Sequence, residues 1–323
     1  MYNPVKVRLG ELRRAVQRHE SSAGWAPSRW YGTAADDSGR EAVEDALAGE
    51  PAVLIVAGGD GTVRVACAAA HPLGVPVALV PAGTGNLLAR NLGVPLNDVH
   101  GAVAVAFTGT MREVDVAVAL LEDGEGGRRT ETFMVMAGIG LDAEMADSTS
   151  AWAKKRMGWV AYVPPIARSI GAHRLFRLHY RVDRGRTRSA SAHTVIVGNC
   201  GTLTGNMLLI PAARVDDGLL DVVLLSPKGR FGWAGIGARL AAQGFARGSR
   251  LGARLLELAP DVQALNYAQG QQFDVRFDTP HAVELDGDRF GLVARARITV
   301  RPGALKLCVS AQAHGPETET AAP

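Results

Sequence analysis

Two apolar runs, each followed by a glycine-rich loop, constrain the fold of this chain more than any other feature of its sequence. Residues 53–57 (VLIVA) precede Gly58-Gly59-Asp60-Gly61-Thr62, and residues 75–80 (VPVALV) precede Pro81-Ala82 and then Gly83-Thr84-Gly85-Asn86. Continuous apolar runs of this length are typical of strands buried on both faces of a parallel sheet. We therefore expect an open α/β sheet with both loops at the carboxyl ends of neighbouring strands, where such sheets bind ligands.

Helical patterns follow both loops, over 63–70 and 87–92. Glycines let backbone N–H groups close on an anion, and the start of a helix adds the positive end of its dipole, so we expect a phosphate site here. The alternative for the first loop is an ordinary strand-to-helix turn with Asp60 as a solvated cap. Because neither the G-x-x-x-x-G-K-[ST] nor the G-x-G-x-x-G spacing is present, the nucleotide site is of another type.

A change of hydrophobic period divides the chain of 323 residues into two domains, as its length also suggests at roughly 150 residues per domain. We predict a Rossmann-like α/β domain over 1–112, completed by 303–310, an all-β sandwich over 113–302 and a disordered polar tail over 311–323. Helices are expected at 9–20 and 39–48, with a strand at 29–33 between them. In the second domain the pattern predicts strands near 114–118, 133–136, 175–182, 194–197, 219–225, 273–277, 282–285 and 294–300, with a helical stretch at 231–258 and a last strand at 305–309.

Composition excludes several classes of protein. The formal charge of +3 is too small to indicate a nucleic-acid-binding protein, and the three cysteines lie too far apart for a zinc site or a disulfide framework. No window approaches the roughly 18 uninterrupted apolar residues of a membrane span. We expect a cytoplasmic protein whose membrane contact, if any, is peripheral. No G-x-S-x-G elbow is present, so a hydrolase is not expected.

Two pairs of aspartates in the second domain could bind a metal or act in catalysis. Asp216 and Asp221, with a backbone carbonyl between them, supply hard oxygen ligands of the kind that Mg²⁺ prefers, although Asp-Asp-Gly is also a good hairpin turn. Asp286 and Asp288 flank Gly287, and such a pair suits a general base, although Asp-Gly is equally a turn between strands.

These motifs together resemble the diacylglycerol-kinase-type lipid kinases, which include bacterial diacylglycerol kinases and sphingosine and ceramide kinases and share a fold with NAD kinases. The resemblance covers nearly the whole chain. It rests on both glycine loops and both pairs of aspartates, together with Asn3-Pro4, the segment 137–143 (AGIGLDA) and Pro211-Ala212.

The resemblance implies ATP- and Mg²⁺-dependent transfer of the γ-phosphate to a lipid hydroxyl, with diacylglycerol as the favoured acceptor. It implies Asp288 as the proton acceptor, Asp286 as its partner, and Asp60 near the phosphates and their Mg²⁺. Asp216, the carbonyl of Leu219 and Asp221 match a structural Mg²⁺ site. The positions that match an ATP site are Asn3, Pro4, Thr33, Gly58, Gly59, Asp60, Gly61, Thr62, Val63, Arg64, Val65, Gly83, Thr84, Gly85 and Asn86.

The chain departs from the family pattern at three places. Arg64-Val65 stand where the family usually has Asn-Glu, Leu87 stands where it has Asp, and Asp288 replaces Glu. These departures leave open a catalytically silent nucleotide or lipid sensor. An NAD kinase-like enzyme also stays open, because NAD kinases share the Gly-Gly-Asp-Gly-Thr turn.

Partners follow from the same resemblance: a lipid substrate at the membrane surface, no nucleic acid, and a homodimer as one assembly that the sequence leaves open. Seven arginines fall between 168 and 188, and Arg177, His179 and Arg181 share one strand face. That face is either solvated or attracted to anionic lipid. The basic and aromatic segments 154–162 and 233–245 are either interfacial or core-facing.

Overall fold

A computed structural model of the chain describes residues 1–34, 39–140, 175–201, 213–226 and 265–311. The chain forms two compact units, Met1–Val114 with the chain from Ala304 onward, and Asp115–Gly303. The boundaries predicted from the sequence are 112/113 and 302/303.

The N-terminal unit is built on a parallel sheet. Strand β1 (Leu54–Gly58) pairs in parallel with β2 (Val77–Pro81), and the end of β12 (Asp288–Val309) pairs in parallel with β2 at Leu307. Tyr2 adds parallel bridges to Ala57 on one side and Gly32 on the other. Strands β1 and β2 are almost wholly buried, which explains their uninterrupted apolar sequences.

Five helices of the described residues accompany this sheet. The first buries Leu12, Ala15 and Val16 and is followed by the C-cap Gly24, whose φ of 70° is positive. The fifth is preceded by the N-cap Asp98, whose side chain accepts the Gly101 N–H. Their bounds are α1 (Leu9–Ala23), α2 (Arg40–Ala48), α3 (Asp60–Ala70), α4 (Leu87–Asn91) and α5 (Val99–Thr108), and a single 3₁₀ turn covers His71–Leu73.

The second unit is antiparallel in every strand pairing that lies wholly within it and whose register the structure gives. Its remaining strands are β3 (Thr110–Glu122), β4 (Arg128–Phe133), β5 (Met136–Ile139), β6 (Phe176–Val182), β7 (Arg188–Ala192), β8 (Thr194–Gly198), β9 (Leu220–Leu225), β10 (Leu265–Gly270) and β11 (Gln272–Leu285).

Strand β11 divides its pairing between two groups of strands. Its first half, from Phe273 to Phe277, pairs with β6, which continues to β7, whereas Val283 to Leu285 pair with β5, which continues to β8, β9 and β10. Register shifts between these halves mark the place where the strand bends. Side chains from both groups, including Leu178 and Leu224, share one buried cluster, as in a sandwich.

The predicted fold class, an α/β domain followed by a β sandwich, is confirmed, and several element bounds are corrected. The segments 273–277 and 282–285 form one continuous strand, as do 294–300 and 305–309. The predicted strand 29–33 is reduced to the single bridge at Gly32. Strand β7 (RSASA) escaped prediction because it is largely polar. The expected helix 231–258 and the tail beyond Ala311 lie outside the described residues.

None of the described helices combines the length and the apolar character that crossing a bilayer requires.

Candidate functional site

The two predicted glycine loops follow adjacent strands of the parallel sheet. Gly58 is the last residue of β1 and α3 begins at Asp60, while residues 83–86 connect β2 to α4. The Ala82 N–H donates to the carbonyl of Gly58 at 2.8 Å and holds the start of the second loop against the first. The sheet therefore brings both loops to one edge, as the sequence predicted.

Asp60 braces the second loop instead of facing solvent. Its Oδ2 accepts the N–H of Asn86 at 2.9 Å and its Oδ1 accepts the N–H of Leu87 at 2.6 Å. Both carboxylate oxygens thus bind the amides that open α4. The solvated cap that was the alternative for this residue is wrong, and the role near the phosphates and their Mg²⁺ stays a prediction.

Asn86 shapes the second loop from within. It has a positive φ of 49°, its Oδ1 accepts the Gly83 N–H at 2.8 Å, and its Nδ2 donates to the Gly83 carbonyl at 2.8 Å. A Cβ on Gly83 would lie 2.7 Å from Gly59 Cα, and one on Gly85 would lie 2.6 Å from Asp60 Oδ2. Glycine is therefore required where the two loops touch, which is a packing reason for the motif.

The amides of the first α3 turn are the donors best suited to an anion. The first N–H groups of a helix have no intrahelical acceptor, and the helix dipole makes that end positive. In the second loop, by contrast, the amides of Gly83, Asn86 and Leu87 already have side-chain acceptors. The exposed tip of that loop is Thr84.

Lys6 lies against the first loop, although the sequence did not single it out. A Cβ on Gly59 would meet the Lys6 ammonium nitrogen at 2.7 Å. Asn3 positions this segment, because its Oδ1 accepts the N–H groups of Val5 and Lys6 at 3.0 and 3.3 Å and its own N–H donates to Ala57 at 2.9 Å. The Asn3-Pro4 motif was the signal that could have led to this lysine.

The other predicted ATP positions of this unit differ in exposure. Thr62 and Arg64 are buried on α3, whereas Val63 and Val65 are half-buried. Thr33 is also buried, and its hydroxyl finds no hydrogen-bond partner among the described residues. Pro4 is exposed.

The Asp286-Gly287 pair forms a two-residue hairpin turn between β11 and β12. Both residues have positive φ, 50° and 89°, and Leu285 pairs with Asp288 across the turn, which is the geometry of a type I′ hairpin. Asp288 is half-buried as the first residue of β12. The turn that the sequence offered as the alternative is therefore present, and it carries both carboxylates.

The Asp286 carboxylate accepts hydrogen bonds from backbone amides. It is 5% exposed and accepts three amide N–H groups, those of Met134 at 2.7 Å, Val135 at 2.8 Å and Met136 at 3.0 Å. Asp286 therefore fixes the chain between β4 and β5.

Glu284 is a further carboxyl near this turn that the sequence analysis did not consider. Burial raises the pKa of Glu284, the guanidinium of Arg289 at 3.5 Å opposes that shift, and the charge of Asp288 adds to it. The carboxyl thus binds its proton more readily than a solvated glutamate does.

Asp221 is the best-placed residue of the predicted Mg²⁺ site. It is wholly buried in β9, and its Oδ1 accepts hydrogen bonds from the Tyr267 hydroxyl and, at 3.0 Å, from Gln269 Nε2. Its Oδ2 is buried and finds no donor among the described residues. Burial raises the pKa of Asp221, so a cation at Oδ2 would stabilise its charged form.

The turn before β9 holds the remaining predicted ligands. Asp216 pairs with Arg214 at 3.5 Å, and the Leu219 N–H donates to Asp217 at 3.0 Å. Asp115, which the sequence analysis missed, accepts the amides of Gly218 at 2.6 Å and Gly303 at 2.8 Å. Within the described ranges no three acidic, histidine or cysteine side chains form a metal-binding group, so the set of Asp216, Leu219 and Asp221 stays a prediction.

The basic face of β6 is partly neutralised by acids of the same unit. Arg181 pairs with Asp274 at 2.9 Å, and His179 lies 3.4 Å from Asp278. These partners favour a solvated, ion-paired strand face. The segments 154–162 and 233–245 lie outside the described residues.

Comparison with known proteins gives matches across both units. The family model "Diacylglycerol kinase catalytic domain" matches residues 6–119, and "YegS C-terminal NAD kinase beta sandwich-like domain" matches residues 134–241. A Pseudomonas aeruginosa protein named "Probable lipid kinase YegS-like" is 31% identical over 281 residues, which is 84% of this chain and 81% of that protein. The diacylglycerol kinase of Bacillus subtilis is 27% identical over 230 residues, covering 70% of this chain and 72% of that enzyme.

A solved structure has the same fold. The crystal structure of a diacylglycerol kinase from Bacillus anthracis superposes with a TM-score of 0.71 at 24% identity, covering 96% of each chain. The chain therefore belongs to the family of diacylglycerol-kinase-type lipid kinases and is a phosphotransferase enzyme.

Proposed function

We propose that this enzyme transfers the γ-phosphate of ATP to the hydroxyl of a lipid, with diacylglycerol as the acceptor. The observation that carries the proposal is the pair of glycine loops at the carboxyl ends of β1 and β2, joined by the two hydrogen bonds of Asp60. A rigid backbone cradle of this kind suits a polyphosphate, and the family supports its use for phosphoryl transfer.

Phosphoryl transfer needs positioning and charge stabilisation more than it needs covalent chemistry. In the proposed reaction the first-turn amides of α3 bind the phosphates, and the Lys6 ammonium neutralises part of their charge. Asp60 and Asn86 act indirectly, because they fix the shape of the loops. Most of the rate enhancement is then electrostatic.

Asp288 is the proposed proton acceptor. The neighbouring Asp286 carboxylate already accepts three backbone amides, which makes it a structural partner of the turn. As the lipid oxygen bonds to the γ-phosphorus, the bond from phosphorus to the β-phosphate oxygen breaks, ADP leaves, and the hydroxyl proton passes to the Asp288 carboxylate.

Mg²⁺ is the proposed metal, and Asp216, the Leu219 carbonyl and Asp221 would hold a structural ion. The buried Asp221 Oδ2, for which the described residues provide no donor, is the atom that fits it. A bound ion would supply positive charge that offsets these buried carboxylates.

An acceptor panel tests the proposed function. We expect purified protein with ATP and Mg²⁺ to phosphorylate diacylglycerol in mixed micelles faster than sphingosine, ceramide or phosphatidylinositol. NAD in the same panel separates the lipid kinase from an NAD kinase-like enzyme. Phosphorylated NAD without lipid product would contradict the proposal, and ATP binding without any product would indicate a sensor.

A further inference from the structure

A cavity of about 300 Å³ lies in the N-terminal unit at the end of the sheet opposite the glycine loops. Leu54 and Ile55, the first residues of β1, line it, whereas the glycine loop follows the last residue of that strand, Gly58. At about 3.3 Å per residue, the three residue steps from Ile55 to Gly58 place the cavity roughly 10 Å from the loop. The cavity is therefore separate from the proposed nucleotide site.

The walls of the cavity are apolar and aromatic. Helix α1 contributes Leu12 and Val16, α2 contributes Ala46, and α5 contributes Phe107. The segment 25–31 (WAPSRWY) covers one side, and the Trp25 ring packs edge-on against Phe107 with 5.4 Å between the ring centroids. The volume of the cavity is at the lower end of the range of ligand pockets, about 300 to 1,000 Å³.

The covering segment is anchored at several points. The buried Glu20 carboxylate accepts both the N–H and the hydroxyl of Ser28, at 2.9 and 2.7 Å, and the Glu20 carbonyl accepts the Trp25 N–H at 2.9 Å. At the far end the Tyr31 carbonyl accepts the Tyr2 N–H at 2.9 Å. Because this wall is already ordered, ligand binding would not include the free-energy cost of ordering it.

Among the described residues that line the cavity, Arg29 is the one with a charged side chain. Arg29 lies over Gly49, where an added Cβ would meet its guanidinium nitrogen at 2.8 Å. A second guanidinium, that of Arg13, stacks over the Trp30 ring at 5.4 Å from its centroid. No carboxylate belongs to the described lining, so the site is complementary to an apolar body with an anionic head group.

We propose that this cavity binds a single-chain anionic amphiphile, with its chain between α1, α2 and α5 and its head group on Arg29. A volume of about 300 Å³ is at the lower end of the range of ligand pockets, which suits one short chain. The inference does not depend on the proposed kinase reaction, because none of the described lining residues belongs to a glycine loop.

Calorimetric titration of the whole protein with decanoate, below its micelle concentration, tests the site. We expect one site per chain. Ala46→Phe fills the cavity and Ala52→Trp blocks its exposed rim, so each should weaken binding at least tenfold. Ala48→Phe, on the exposed face of the same helix, should bind like the wild type. Thermal melting of each variant checks that it is folded, and Ala52→Trp provides the test if Ala46→Phe does not fold.

Arg29→Gln tests the head group separately. It should weaken binding of decanoate and decyl phosphate at least tenfold but leave binding of the neutral decanol unchanged, and the better of the two anions identifies a carboxylate or a phosphate head group. The proposal is overturned if wild type binds none of these amphiphiles, if folded Ala46→Phe and Ala52→Trp variants bind decanoate like the wild type, or if Arg29→Gln affects decanol and decanoate equally.

Discussion

At the scale of single residues, two carboxylates among the predicted site residues bind backbone amides. Asp60 accepts two amides of the second glycine loop, and Asp286 accepts three in the segment that leads into β5. A carboxylate has two oxygens that both accept, whereas an asparagine has one oxygen and turns a donor toward the same N–H groups. Substitution by asparagine therefore separates the roles of these residues with little change in volume.

Asp60→Asn is expected to weaken ATP binding at least tenfold. A hydrogen bond to a charged group is worth about 1.5–3 kcal/mol, and about 1.4 kcal/mol corresponds to a factor of ten. Calorimetric titration with a nonhydrolysable ATP analogue measures the change. The matched control is Asp98→Asn, which alters a similar contact at the start of α5 but should leave ATP affinity unchanged. Equal affinity of wild type and Asp60→Asn would rule out the bracing role.

Asp286 and Asp288 are expected to respond differently to the same substitution. Asp286→Asn should lower the free energy of unfolding by about 3 kcal/mol, because it leaves buried amides without acceptors. Asp288→Asn should change it by less than about 0.5 kcal/mol, since the side chain is only half-buried. Urea denaturation measures both values. A larger loss of stability in Asp288→Asn than in Asp286→Asn would reverse the assignment.

The sequence predicted where the site residues lie along the chain better than it predicted what they contact. The glycines of both loops and the Asp-Gly turn were recognisable because each is a local backbone requirement. The partners of Asp60 lie 26 and 27 residues away, and those of Asp286 lie 150 to 152 residues away. Such contacts depend on strand order, which local patterns do not contain. Lys6 was missed for the same reason.

At the scale of elements, one acidic residue joins three strands of the sandwich. Asp274 on β11 is paired with Arg181 on β6 and Arg297 on β12, at 2.9 and 2.6 Å. Although burial alone would raise the pKa of Asp274, hydrogen bonds from Arg297, Arg181 and Gln272 lower it below its usual value. The folded state therefore binds this proton less readily than the unfolded state.

The contribution of Asp274 to stability is expected to disappear in acid. Because its pKa is lowered on folding, the stabilisation is present above the unfolded pKa of 3.8 and is lost as the pH falls through the folded value. Asp274→Asn should cost about 1 kcal/mol at pH 7, and the difference from wild type should shrink below pH 3.8. Urea denaturation at several pH values measures it. A difference that grows in acid would contradict the assignment.

Asp221 couples β9 to β10 and offers a test for the metal. If an ion binds its buried Oδ2, Mg²⁺ should raise the melting temperature of the wild type by a few degrees, corresponding to about 1 kcal/mol. Asp221→Asn should abolish that rise, while the control Asp278→Asn, an acid on another strand, should keep it. Equal wild-type melting temperatures with Mg²⁺ and with a chelator would remove the proposed site.

The length of β11 differs from the lengths that local sequence patterns predict. Period-two alternation placed most strands of the second unit, but it divided β11 into two strands. The break falls between Arg276 and His281, where the register of β11 with β12 shifts. A bulge keeps the backbone paired while it interrupts the alternation of side chains, so the sequence shows an end where the strand continues.

At the scale of the whole molecule, the chain combines an α/β unit that has a parallel sheet with an antiparallel sandwich. Fold class followed from hydrophobic period alone, since buried parallel strands and half-buried antiparallel strands have different patterns. Function required the motifs taken together, because the glycine loops and the Asp-Gly turn also have structural explanations. The Asp-Gly turn at 286–287 shows this directly, because it is a hairpin and also carries the proposed base.

Transfer of the γ-phosphate from ATP to diacylglycerol, compared between wild type and Asp288→Ala, tests both the proposed reaction and its proton acceptor. We expect phosphatidate from the wild type in the presence of Mg²⁺ and at least a hundredfold lower turnover in the variant, with ATP affinity and melting temperature retained. Wild-type turnover at background, or equal turnover of the two proteins, would contradict it.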